Sequence, residues 1–272
     1  MNTATAKTVV VTGASKGLGA AISARLASEG FTVFAAARQP AETTHPNMIP
    51  VALDVTDRRS LAAAADTVAR AVGGLGVFAL VNNAAVLEAG PLELADAAQI
   101  DRHLRTNVGG PLAATQAFLP LLRAAGGRIV NVSSINAQLP LPFWGLYSAS
   151  KAALVALSDA LRCELAPQGI GVSVLTLGAF ATDIRRRALT AWPESGPYAA
   201  ARAASEALVA ALDGTAADPT LVSDVVFDVL SCPQAPAHRV VGEGVEDLLA
   251  LASQPPEVRD AALSQLLAAP VN

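Results

Sequence analysis

Short runs of β-branched and aliphatic residues alternate along the chain with longer, alanine-rich segments whose apolar positions recur at helical spacing. Seven runs read as strands: Thr8 to Val11, Thr32 to Ala36, Ile49 to Leu53, Val77 to Val81, Arg128 to Val132, Gly171 to Leu177 and His238 to Val241. Between them the pattern predicts helices over Leu18 to Ser28, Ser60 to Ala71, Ala95 to Leu122 with interruptions, Ser148 to Ala166 and Thr220 to Leu230. Strands that alternate with helices need right-handed crossovers, so the expected fold is α/β: a doubly wound, mostly parallel seven-stranded sheet with helices on both faces. Runs such as VVV and IVNV are nearly unbroken, as suits strands covered on both sides. Ligands of such sheets bind beyond the carboxyl ends of the strands.

Two stretches break the alternation. Residues 179–219 mix Arg, Pro, Gly and Ser with apolar residues, and a long irregular insertion of this kind reads as a substrate lid. Residues 242–272 contain VEDLLALA and VRDAALSQLL and read as a helical C-terminal tail that packs on a partner subunit or over the pocket. A length of 272 residues with no low-complexity linker favours one domain, 1–272.

Composition narrows the function classes. The chain is 52% hydrophobic, yet its longest uncharged stretches carry Gly, Pro, Asn, Gln or Ser throughout, so no membrane span is expected. The start runs almost directly from Lys7 into a strand, so no export signal is expected. Cys163 and Cys232, the only cysteines, form no CxxC pair and no metal-ligand cluster, so a reduced, cytoplasmic setting without metal is expected. A net charge of −4 attracts no polyanion, which leaves a small molecule as the expected partner rather than nucleic acid.

The segment Thr12-Gly13-Ala14-Ser15-Lys16-Gly17-Leu18-Gly19 ends the first strand and opens the first helix. A chain that turns there beside a pyrophosphate needs residues without Cβ, and the helix N-terminus then attracts the phosphates. Gly13, Ser15, Lys16, Gly17, Leu18 and Gly19 are therefore candidate cofactor-binding residues. The glycines are spaced G-x-x-x-G-x-G, which carries little information without its strand-to-helix setting. About twenty residues on, where a carboxylate would hold the 2′-hydroxyl of NAD, the second strand ends in Ala37-Arg38-Gln39. Arg38 and Lys16 can pair instead with a 2′-phosphate, and the expected cofactor is NADP(H).

Tyr147 and Lys151 lie four apart near a helix start and so share a face. Lowering a phenol pKa from about 10 by ~3 units needs about 4 kcal/mol. One ammonium roughly 4 Å away supplies that at an effective dielectric near ~20. Tyr147 is thereby a candidate acid and base.

TGASKGLG after the first strand, LDVTD after the third, NNAA after the fourth, Asn107, NVSS after the fifth and YSASK together resemble the short-chain dehydrogenase/reductase family. The resemblance runs from Thr8 to about Thr182 and implies a Rossmann-like fold and an oxidoreductase that exchanges hydride with a carbonyl or alcohol. It implies that Ser134 binds the substrate oxygen, that Tyr147 moves its proton, that Lys151 also binds the nicotinamide ribose, and that Asn107 holds a relay water. It implies Asp54 and Val55 at the adenine, Asn82 and Ala84 along the adenosine and ribose, Thr182 at the carboxamide or pyrophosphate, and Tyr147 and Phe180 among the other cofactor-binding residues. Two positions depart from the pattern: Ala85 follows NNA where glycine is usual, and Leu177-Gly178 replaces Pro-Gly.

Leu139, Leu141, Phe143 and Trp144 read as an apolar wall for a hydrophobic ketone or alcohol, or as core. Arg185, Arg186 and Arg187 read as a solvated charge run or as a grip on an acidic substrate. Leu154, Leu157, Leu161 and Leu165 make a stripe that suits core packing or the dimer or tetramer that the resemblance implies. A non-catalytic nucleotide-binding protein, or a dehydratase or epimerase on the same fold, is the alternative to a carbonyl reductase or alcohol dehydrogenase.

Overall fold

The computed structural model describes residues 7–43, 45–185, 188, 192 and 196–268. Its single described sheet joins β1 (Thr8–Thr12), β2 (Thr32–Ala37), β3 (Met48–Ala52), β4 (Ala79–Asn82), β5 (Arg128–Val132), β6 (Gly171–Leu177) and β7 (His238–Val241). They lie in the order β3-β2-β1-β4-β5-β6-β7, and every neighbouring pair is parallel. The expected doubly wound α/β sheet is thus present. The chain steps outward from β1 to β3, then returns to place β4 on the other side of β1. That reversal opens a crevice beyond the carboxyl ends of β1 and β4, where open α/β sheets bind ligands.

Alternation along each strand divides the core into two layers. Val9, Val11 and Val33 face one way and meet Ile22 and Leu26 of α1 (Gly17–Ser28) and Val222, Val226 and Leu230 of α7 (Pro219–Ser231). Val10, Phe34, Leu80 and Ile129 face the other way, toward Leu61 and Val68 of α2 (Arg58–Val72), Phe118 and Leu122 of α4 (Gly110–Ala125) and Leu165 of α5 (Gly145–Leu165). Leu154 and Leu165 of the leucine stripe are buried and Leu161 packs on this second layer, so core packing accounts for most of the stripe.

Element boundaries shift where caps decide them. The segment expected over 95–122 divides into α3 (Ala97–Leu104), a π-helical turn (Arg105–Gly109) and α4. Asp96 starts α3 with a reciprocal capping box to Gln99. Helix α5 begins at Gly145, ahead of the expected Ser148, which places Tyr147 in its first turn. Residues 199–214, read as irregular, form α6 (Ala199–Gly214), because their alanine content favours helix once the Arg and Ser side chains reach solvent or partners. The chain closes with α8 (Val245–Ala252) and α9 (Pro256–Ala268). Among the described residues no helix is long and apolar enough to cross a membrane.

Candidate active site

The glycine loop after β1 is shaped by close backbone approach. Gly13 has φ +69°, and a Cβ there would come within 2.9 Å of the Ala84 Cα. A Cβ on Gly19 would fall onto the Gly13 carbonyl oxygen. The loop is tied to β4 by Thr12, whose Oγ1 accepts hydrogen bonds from the backbone N–H of Asn83 and of Ala84, both at 3.1 Å. Asn83 Nδ2 donates in return to the carbonyl oxygens of Thr12 and Gly13, at 3.0 and 3.3 Å. Thr12 and Asn83 therefore shape the loop although neither was a candidate. The doubled Asn of NNAA carried the only sequence signal for this.

One cavity of about 1960 Å³ runs along the carboxyl ends of the strands. Gly13, Ser15, Lys16, Gly17 and Leu18 line it together with Arg38, Asp54, Val55, Ala84, Phe180 and Thr182. Thr182 faces Gly17 across the loop, where a Cβ would lie 3.5 Å from the Thr182 methyl. Gly19 is buried beneath the loop. Asn82 is also buried, and its Nδ2 donates to Asn131 Oδ1 at 2.8 Å, so it braces β4 against β5 while Asn83 lines the cavity. At the far end, burial raises the Asp54 carboxyl, but hydrogen bonds from Thr56 and the charges of Arg38 and Arg105 outweigh it and hold the group below its ordinary value. The Arg38 charge therefore acts at this end, beside the Asp54 carboxylate.

Ser134, Tyr147 and Lys151 come together on the opposite wall. Ser134 lies just past β5, where its hydroxyl accepts the Asn136 N–H at 3.2 Å and acts to lower the Tyr147 phenol. Lys151 follows one turn along α5, with Nζ 5.7 Å from the centre of the Tyr147 ring and donating to the Val132 carbonyl at 2.7 Å. Burial pushes the phenol up to about 12 against the opposing Ser134 hydrogen bond and Arg185 charge. Burial pulls the ammonium down to about 8.

This corrects the electrostatic expectation. Burial is the largest influence on both groups, raising the phenol and lowering the ammonium, and Lys151 is not among the groups that draw the phenol down. Desolvation, which spacing along a helix does not reveal, exceeds the attraction that the i, i+4 relation suggested.

Asn107 sits buried in the π-helical turn. Its Oδ1 accepts from the Val86 N–H, while Nδ2 donates to the Val86 carbonyl at 2.8 Å and to Ser150 Oγ at 2.9 Å. Ser150 Oγ donates onward to the Tyr147 carbonyl at 2.7 Å. Asn107 is thus linked through Ser150 to the first turn of α5, and it does not line the cavity. Single-turn π insertions recur at functional sites because they leave backbone groups outside the regular ladder.

Beyond Tyr147 the cavity becomes apolar, lined by Leu87, Leu139, Leu141, Trp144, Leu248 and Leu263 among others. Phe143 departs from the expected wall: it takes φ +67°, and its ring packs 4.8 Å from that of Trp192. Arg185 is not a solvated cation. It is 6% exposed and lines the cavity, and Nε and Nη2 donate to Asp213 Oδ1 at 3.0 and 2.7 Å while Nη2 also donates to the Phe180 carbonyl. Arg186 and Arg187 lie outside the described residues. Gly178, of the Leu-Gly departure, donates its N–H to the Val241 carbonyl at 3.0 Å.

A glycine-shaped notch at the switch point of a parallel sheet, continuous with a buried serine, tyrosine and lysine, places the chain among α/β oxidoreductases. Residues 7–193 match the short chain dehydrogenase family, and the chain belongs to that family. The short-chain dehydrogenase ptmH of Penicillium ochrochloron is 40% identical over 184 residues, which cover 65% of this chain and 67% of that protein. A short chain dehydrogenase of Burkholderia cenocepacia, solved in complex with NADP, superposes with a TM-score of 0.75 at 27% identity, over 97% of this chain and 98% of that one. A short chain dehydrogenase/reductase of Burkholderia phymatum, solved with NAD, gives a TM-score of 0.79 at 26% identity, over 90% and 92%.

Proposed function

We propose that this protein is an NADP(H)-dependent oxidoreductase that interconverts a ketone and a secondary alcohol on a largely apolar small molecule, with Tyr147 as acid and base. The observation that carries this reading is that Ser134, Tyr147 and Lys151 line the same cavity as both the glycine loop and the leucine-rich wall.

The residues fit a dinucleotide. The places where a Cβ on Gly13 or Gly19 would collide with backbone form a cradle closed to larger residues. Lys16 and Arg38 are exposed cations lining the cavity near the end of β2, and they supply the charge that a 2′-phosphate needs. The nicotinamide, when bound, supplies or takes the hydride. Ser134 holds the substrate oxygen, and Tyr147 gives that oxygen a proton during reduction and removes it during oxidation. Lys151, with a pKa near 8, is matched to proton exchange close to neutral pH. Both Nδ2 hydrogens of Asn107 are spent on Val86 and Ser150, so a relay water there uses the main chain of the π-helical turn.

The apolar half of the cavity favours a hydrophobic substrate. Leu208 and Leu212 of α6, Leu248 and Leu251 of α8, and Leu263 of α9 extend the wall from beyond residue 193, where the family match ends. The lid of this reading spans residues 179–219, of which 186, 187, 189–191 and 193–195 lie outside the described residues, and the half-buried Leu157 and Leu161 of α5 contribute to a homo-oligomeric contact.

A panel of ketones and secondary alcohols of graded size and charge, each tested with NADPH and NADH, tests the reading. Turnover with NADPH and an apolar ketone that disappears in Tyr147→Phe is the expected result. Dinucleotide binding without turnover on any member of the panel would overturn it.

A further inference from the structure

The apolar half of the cavity holds an amide that the protein leaves unpaired. Asn136 is 4% exposed and lines the cavity, and its Nδ2 has no hydrogen-bond partner among the described residues. An amide nitrogen carries two donors, and burying it unpaired is costly, so an apolar residue would suit the position better if packing were its only task. Asn136 sits in the 3₁₀ turn Ile135–Ala137, whose N-cap is Ser134, and its backbone N–H donates to Ser134 Oγ at 3.2 Å. Ile135 and Leu139 of the same segment are buried against Val245 and Leu263. Positions three apart eclipse in such a turn, so Asn136 shares a side with Leu139, which also lines the cavity.

We propose that Asn136 is a specificity-determining residue: its amide donates to a second oxygen of the substrate, so the preferred substrate is an apolar ring ketone or alcohol that carries another carbonyl or ether oxygen. Ser134 and Tyr147 hold the reacting end, as in the reading on which this inference rests. Bond lengths keep the Asn136 amide nitrogen within about 8 Å of the Ser134 hydroxyl, so a small ring skeleton spans the two oxygens. Leu248, Leu251 and Leu263 line the same half of the cavity, and a hydrogen bond made among apolar side chains discriminates more than one made in water.

The neighbouring polar side chains suit other partners. Glu88 is paired with Arg102 at 2.9 Å. Arg185 directs Nε and Nη2 to Asp213 and the Phe180 carbonyl. Asp183 lines the cavity, but a carboxylate only accepts. Ser133 Oγ also lacks a partner, and Ser133 lies on the sheet side of Ser134, with its N–H on the Leu175 carbonyl of β6.

The test compares the wild type, Asn136→Leu, Asn136→Asp and Ser133→Ala on cyclohexanone against cyclohexane-1,4-dione and on 2-decalone against decalin-2,6-dione. The readout is the ratio of kcat/KM within each pair, which a loss of stability alone does not move. The wild type is expected to favour the dione of the better-fitting pair by about 10- to 100-fold. Ser133→Ala keeps that preference and both Asn136 variants lose it. If Asn136→Leu fails to fold, Asn136→Asp decides, because a carboxylate of the same shape has no N–H to donate. Calorimetric affinities of the same pairs for NADP+-loaded Tyr147→Phe, with and without Asn136→Leu, repeat the comparison without turnover. A dione preference that Asn136→Leu abolishes in binding, with no turnover by any of the proteins, would refute the oxidoreductase reading and leave Asn136 as a ligand-binding residue. No dione preference in the wild type, or an equal one in Asn136→Leu, overturns the inference and leaves the amide to a trapped water.

Discussion

The Lys151 ammonium donates to the Val132 carbonyl at 2.7 Å, in a place where burial holds its pKa near 8. The last strand residue before the Ser133–Ser134 loop thereby anchors the proton-handling end of α5 to β5. The anchor has an energetic cost that depends on pH.

The unfolded chain keeps the Lys151 proton up to its ordinary 10.5, whereas the folded protein keeps it only to about 8. The folded state binds fewer protons between those values, so stability from this group is present above 10.5 and is lost as pH falls toward 8. Denaturant unfolding of the wild type against Lys151→Met is expected to show a relative gain for the wild type across that window. The upper bound is about 3 kcal/mol. Parallel stability curves for the two proteins would show that the ammonium is not desolvated.

Removing the hydroxyls of Tyr147 and Ser134 separates chemistry from binding. Tyr147→Phe and Ser134→Ala are each expected to lower kcat by about 10²–10⁴. Dinucleotide affinity, read by nicotinamide fluorescence, changes only a few-fold, because the glycine loop is left intact. Equal losses in affinity and kcat would place these hydroxyls in binding instead.

Arg38→Asp tests the choice of dinucleotide. A charge-assisted hydrogen bond contributes about 1.5–3 kcal/mol, so KM for NADPH is expected to rise roughly 10- to 100-fold. KM for NADH stays level or falls, since the new carboxylate can accept from a ribose 2′-hydroxyl. A variant that loses both cofactors equally would assign Arg38 to general phosphate attraction.

Leu263 of α9 is buried beside Leu139, Ile135 and Val245 and lines the apolar half of the cavity. Leu263→Ala is expected to raise KM for the largest apolar substrates about tenfold, with small ketones unaffected. A uniform change across a size series would mean that the residue acts on folding alone, which thermal melting reads separately.

Much of this arrangement was legible in the residue pattern, because the features concerned are local. Strand-to-helix alternation and the unbroken apolar runs VVV and IVNV define a sheet covered on both faces. The positions of the motifs at strand ends then put Gly13, Asp54, Ala84 and Ser134 along one crevice. Backbone sterics at Gly13 and Gly19 act within a few residues or across one strand pair, so a linear motif can encode them.

What the tertiary structure decided depends on groups far apart in sequence. The exchange of roles between Asn82, which braces Asn131, and Asn83, which ties the glycine loop, follows from which way each side chain leaves the end of β4. The leucines of α6, α8 and α9 become a pocket wall only once those helices fold back over the cleft. Arg185 reads as surface charge in the sequence and becomes a buried, paired cation because Asp213 meets it from another helix. The ionisation of Tyr147 and Lys151 was likewise beyond reach of their spacing, since desolvation depends on everything packed around a group, and here it outweighs the one neighbour that the i, i+4 relation supplies.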